Sequence, residues 1–184
     1  LAPLDEKEVV GSKEMCFSCH DGSVRDSRDK ICNDPGHRVG NVPSQHVTIP
    51  KNFPLDDQGR MQCSTCHTPH AVSFEEGMEF AFFLRSVNKD SSFCKECHVE
   101  KIGGPDTGNH PIDVSAKKVP ELIIKAGGRM GKAMPDQIIC ETCHMAHGGV
   151  GDKRLVLLAR DSAAPAILCE VCHTKKPKKP GDPD

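Results

Sequence analysis

Apolar positions in this chain come in short, scattered groups. No run of eighteen apolar residues exists, so no segment is expected to span a membrane as a helix. Two stretches carry a helical pattern: residues 73–86 (SFEEGMEFAFFLRS) and 119–128 (VPELIIKAGG). In the first, Phe80, Phe83 and Leu84 fall on one helical face. In the second, Gly127-Gly128 is expected to stop the helix. Sixteen Gly and fourteen Pro break the remainder into turns, with Gly36, Gly103-Gly104 and Gly148-Gly149 marking loops. The pattern predicts a chain that is mostly coil with short α-helices.

Composition sharpens this. The chain has 184 residues, of which 36% are hydrophobic and 4% aromatic, with no Trp, no Tyr and seven Phe. That is a poor inventory for a packed core at this length. Apolar volume is therefore expected from outside the polypeptide, and eleven Cys and ten His indicate its chemistry. A net charge of −2 does not suggest a nucleic-acid partner. The opening LAPLDEKEVV has no charged n-region and no apolar h-region, so any signal peptide is expected to have been removed already.

Ten of the eleven cysteines lie in five copies of Cys-x-x-Cys-His. The copies begin at Cys16 (Cys19, His20), Cys63 (Cys66, His67), Cys94 (Cys97, His98), Cys140 (Cys143, His144) and Cys169 (Cys172, His173). This is the attachment signature of c-type haem. Cysteines three apart sit about one helical turn from each other and reach the two vinyl groups of one porphyrin. The adjacent His turns its ring to the iron. Zinc ribbons pair their knuckles, and five is odd. A thiol oxidoreductase needs one motif on a βαβ framework, which is not visible. A disulfide scaffold has no need of His after each second Cys. Five covalently attached haems c follow.

Besides the five motif histidines, the chain has His37, His46, His70, His110 and His147. Five irons have ten axial positions, so every haem is expected to be bis-histidine. Met15, Met61 and Met145 lie nearest the motifs as rival ligands, and a Met ligand would raise that haem's potential. Such irons leave no open position, so no catalytic residue is assigned. The expected activity is electron transfer at low potential rather than catalysis or gas sensing.

The motifs repeat in pairs. Cys16 to Cys94 is 78 residues, Cys63 to Cys140 is 77, and Cys94 to Cys169 is 75. Phe82-Phe83-Leu84-Arg85 precedes the third motif as Leu157-Leu158-Ala159-Arg160 precedes the fifth. Two two-haem units, 1–81 and 82–153, are followed by a half unit, 154–184, that holds the fifth haem and a Lys/Pro-rich tail. Each motif is expected to open a short helix. The apolar face at Phe80, Phe83 and Leu84 is expected to pack on porphyrin.

These motifs, with CHDG (residues 19–22) and NHPI (109–112), resemble multihaem cytochromes c of the doubled Cys-x-x-Cys-His type over residues 16–173. Similar proteins include pentahaem periplasmic donors to nitrite reductase and haem filament subunits of metal-reducing bacteria. The resemblance implies a small fold organised around a stacked haem row. It also implies that the last His of Cys-x-x-Cys-His-x-x-His serves a haem other than its own. On that basis His70 would cap haem 1, His46 haem 2, His147 haem 3 and His110 haem 4. His37 remains for haem 5, either within the chain or from a neighbouring copy. Donation from a neighbour would build a head-to-tail filament. The expected location is extracytoplasmic, as an extracellular filament subunit or, alternatively, a soluble periplasmic donor; a multihaem reductase is the third reading. Redox proteins are the expected partners. Cys32 is left over, as a free thiol or an intermolecular link. If five haems are attached, intact mass should exceed the 20.0 kDa polypeptide by five haems, and a mature protein carrying four would refute the count.

Overall fold

A computed structural model describes residues 13–28, 37–68, 83–147 and 166–173. His70, Cys32, Gly36, Gly148-Gly149, residues 157–160 and the Lys/Pro-rich tail lie outside the described residues. So does most of the expected helix at 73–86. The part of it that is described is not helical: Phe83 is an exposed turn residue with φ 57°, and Leu84 bridges antiparallel to His67.

The described chain is mostly coil. Short helices carry the motifs: α1 (Lys13–His20), α2 (Cys63–Cys66), α3 (Ser92–Cys97), α5 (Cys140–Cys143) and α6 (Ala166–Cys172). Helix α4 (Glu121–Lys125) lies between the third and fourth motifs. Strands β1 (Val114–Ser115) and β2 (Gln137–Ile138) form an antiparallel pair in which Val114 faces Ile138 and Ser115 faces Gln137. This small sheet is unforeseen, because two-residue strands carry no alternation to read.

The expectation that each motif opens a helix holds for only two. The second and fourth motifs open α2 and α5, whereas the first, third and fifth close α1, α3 and α6. The cause is the residue before the motif. Gln62 (φ −130°, ψ 172°) and Ile139 (φ −127°, ψ 173°) are extended, so no helix can run into Cys63 or Cys140. Each is held by a threonine three residues on. The Gln62 N–H donates to Thr65 Oγ1 at 2.8 Å, and Thr65 N–H returns to the Gln62 carbonyl at 3.1 Å. Ile139 and Thr142 repeat the exchange at 3.0 and 3.1 Å. Each hydroxyl then donates onward, Thr65 to the Pro54 carbonyl at 2.7 Å and Thr142 to the Arg129 carbonyl at 2.6 Å. Both threonines are fully buried.

Helix α4 stops where the glycines were expected to stop it. Gly127 takes φ 100°; its N–H reaches the Ile124 carbonyl, and that of Gly128 reaches the Ile123 carbonyl, both leftover acceptors of the last turn. Around α4 lies the apolar core: Val119, Ile123, Ile138 and Leu168 are buried, with Met130, Cys143, Met145 and Val171 packed against them. This core joins the fourth motif to the fifth. A separate contact, Phe53 stacked on Phe93 with centroids 5.2 Å apart, joins the loop before α2 to α3. No helix among the described residues is long and apolar enough to cross a membrane.

Thr142→Val keeps the shape of the side chain and strands two backbone partners, the buried Ile139 N–H and the part-buried Arg129 carbonyl. It should cost about 1–3 kcal/mol, measurable as a lower urea midpoint for the haem-loaded protein. An unchanged midpoint would mean the hydroxyl does not hold α5.

Candidate functional site

The third motif shows how a site is built. Loop 37–53 docks on α3 through the Thr48 N–H, which donates to the Cys97 carbonyl at 3.0 Å, and through the Phe53–Phe93 stack. Between loop and helix lies a cleft of ≈ 240 Å³. Its walls are apolar, formed by Val42, Pro43, Val47, Ile49, Phe53 and Phe93. Cys94, Cys97, His98 and His37 all open into it. Val42 is 66% exposed despite standing in this wall. The two thiols and the imidazole of the motif, a second imidazole and an apolar lining that the described residues leave uncovered fit a covalently held, planar, metal-centred group. Burial, with His144 and Lys101 nearby, pushes the His98 ring below its ordinary value. That favours the neutral imidazole, which is the form that binds a metal.

Three histidine pairs recur at one spacing. Ring centroids are 5.8 Å apart for His37 and His98, 6.0 Å for His67 and His147, and 6.1 Å for His110 and His173. A metal–imidazole bond of about 2 Å puts ring centres about 6 Å apart across one metal. His37 Nε2 and His98 Nε2 face each other at 3.5 Å. Elsewhere the opposite ring nitrogen is occupied. His110 Nδ1 lies 2.9 Å from the Pro111 carbonyl oxygen, His20 Nδ1 lies 3.1 Å from Ser27 Oγ, and His46 Nδ1 lies 3.6 Å from Glu100 Oε2. Such partners hold a ligating ring in one orientation with Nε2 outward. No group of three or more His, Cys, Asp or Glu among the described residues could hold a bare metal ion.

These neighbours differ from the expected capping. His147 stands beside His67 of the second motif, not beside the third. His110 stands beside His173 of the fifth, not beside the fourth. His37, expected at the fifth motif, stands beside His98 of the third in the same chain. His46 faces Glu100, while the ring of His67 faces His147. Packing explains the change. The loop carrying His37 is docked on α3, and the core residues Ile123 and Leu168 hold α6 in the part of the fold that contains His110.

From the second to the fifth, successive motifs lie close together. Cys66 of the second motif lines the cleft of the third. Cys94 and Cys140 hydrogen-bond to each other. That contact, with burial, pushes the Cys94 thiol up, and it pulls Cys140 down to about 6. Burial, then the neighbouring Cys172 and Cys169, pushes Cys143 up to about 11. Haem attachment converts these thiols to thioethers, so the lasting information is their proximity.

The residues inside the motifs, which sequence reasoning passed over, fix that proximity. Glu141 Oε2 accepts from Asn88 Nδ2 at 3.0 Å and from Ser91 Oγ at 3.3 Å, and its Oε1 lies 3.8 Å from Arg129 Nη1. Lys95 Nζ bonds Asp113 Oδ2 at 2.6 Å, and Ser86 Oγ donates to Glu96. For the threonines a signal was present: Cys-x-Thr-Cys-His stands in both the second and the fourth motif, 77 residues apart.

Residues 133–178, which contain the fourth and fifth motifs, match the family described as doubled CXXCH motif. No curated protein and no solved structure matches the chain. The family match supports a multihaem c-type cytochrome, and the motifs point to covalently bound haem c.

Glu141 joins the third motif to the fourth, so Glu141→Gln removes a negative charge near two attachment sites. Two midpoint potentials should rise while the others stay in place. A uniform shift of all of them would deny Glu141 this position.

Proposed function

We propose that the chain transfers electrons along five covalently attached haems, each iron held by two histidines. The observation that carries this reading is the succession of motif contacts from the second motif to the fifth, with α1 bordering the same cavity as the residue before α2. Glu14 of α1 and Gln62 beside α2 border one cavity. Cys66 shares a cleft with Cys94, Cys94 meets Cys140, and Cys143 neighbours Cys169 and Cys172. A row of closely spaced attachment sites suits an electron path.

When bound, haem supplies a reversible ferric–ferrous couple. The chain's own residues do the rest. The cysteines would tether each group, and the histidines would fill both faces of the metal and exclude small molecules. The apolar walls would displace water and lower the local dielectric. Two imidazole ligands favour low potentials, because a methionine ligand is what raises them.

The two-haem units 1–81 and 82–153, with the half unit 154–184, are part of the same reading. The matched Thr65 and Thr142 bonds support them. c-type cytochromes are typically extracytoplasmic, and redox proteins are the partners proposed here. Between filament subunit and soluble periplasmic carrier, the position of His37 beside His98 supports its use within the chain. The filament form of the reading then rests on haem-to-haem contact between the ends of successive rows.

Electron paramagnetic resonance of the oxidised protein should show low-spin ferric haem throughout, and the reduced protein should not take up carbon monoxide. A redox titration should spread over several waves, because neighbouring irons repel each other's charge. A high-spin iron that binds carbon monoxide would instead favour a reductase. Sizing at high concentration distinguishes a carrier from a polymer.

A further inference from the structure

The geometry points to specific axial-ligand pairs: His37 with His98 on haem 3, His67 with His147 on haem 2, and His110 with His173 on haem 5. This rests on the bis-histidine reading and deepens it. Three independent pairs share centroid spacings of 5.8, 6.0 and 6.1 Å. Each joins one motif histidine to one non-motif histidine, and none is used twice. His37, His110, His147 and His173 are exposed. A metal shared by each pair would account for the common spacing.

The pairs also reset the register of the repeat. His37 precedes His98 by 61 residues, and His110 precedes His173 by 63. One pair is therefore the repeat of the other, and the counterpart of His110 is His37 rather than His46. The same arithmetic places the distal ligand of haem 2 in the opposite direction, 80 residues after His67. Haems 3 and 5 reach back along the chain for their second ligand, and haem 2 reaches forward.

The test combines ligand removal with haem removal in the full-length, haem-loaded protein. His37→Ala should convert one ferric haem in five to high spin, and added imidazole should return it to low spin. Removing the third attachment site (Cys94→Ala with Cys97→Ala) should leave four haems, all low-spin. Adding His37→Ala to that variant should change nothing, because the iron it served is gone. If His37 serves another haem, the combined variant shows one high-spin haem in four, and the pairing is overturned. If His37→Ala alone stays fully low-spin, His37 is no ligand and the pairing also falls. A high-spin iron in the unaltered protein would overturn the bis-histidine reading instead. Should the motif-three variant not mature, the same design applied to His110 and the fifth site (Cys169→Ala with Cys172→Ala) reads the pairing at the chain's end.

Discussion

The carboxylate of Glu141 accepts hydrogen bonds from Asn88 and Ser91 and lies close to Arg129, so three stretches of backbone converge on one side chain. That interaction stands for the constraint on the whole molecule. Large buried hydrophobics number six among the described residues, too few to locate five attachment sites by apolar packing. Position must come from directional bonds, and these sit largely on the variable letters of the motifs. Thr65, Lys95, Glu96, Glu141 and Thr142 each tie their motif to another segment. The backbone is bent to suit. Asp90 and Ser91, just before α3, take φ 50° and 62°, a left-handed conformation that disfavours any side chain. Asp90 Oδ1 recovers a bond from the Lys132 N–H at 2.8 Å, and Ser91 Oγ donates one to Glu141 Oε2. Local strain is thus offset by contacts that set the third motif against the fourth.

Much of the site was legible because covalent chemistry is written locally. Cys-x-x-Cys-His states its two tethers and its first ligand within five letters, and no tertiary information is needed to find it. The helix stop at Gly127 was legible for the same reason, since a positive φ is a local demand. The second ligands were not. The resemblance suggested fixed partners, but the partner of His98 is decided by where a loop docks, through Thr48 and Phe53, dozens of residues away. The two-residue strands were illegible because their pairing is enforced from outside. Asp113 and Asp136, both at positive φ, turn the chain at the ends of β1 and β2, and Gln137 reaches Asp113. Helix polarity relative to each motif was decided by a single extended residue, Gln62 or Ile139, whose identity gives no hint of it.

Exposed apolar side chains acquire a reason in this setting. Val24, Val42, Ile102 and Leu122 each present about half or more of their surface to solvent. On an ordinary domain of this size, so many would invite association. Here at least one of them, Val42, belongs to the wall of an attachment cleft. The polypeptide is better viewed as a set of brackets than as a container. It forms edges and faces, and leaves the interior to the groups it carries.

The three histidine pairs have a topological consequence. Their spans along the chain, 37 to 98, 67 to 147 and 110 to 173, overlap in series, each beginning before the previous one ends. Metal-bridged, they would be linked clasps, like stitches in a knitted row, so that no stretch from 37 to 173 could unravel without opening at least one of them. A chain emerging from its N-terminus would also close them out of numerical order. The third iron could be capped once residue 98 is out, whereas the second must wait for residue 147. For that interval one haem would be tethered at two cysteines and one histidine with its other face open to solvent.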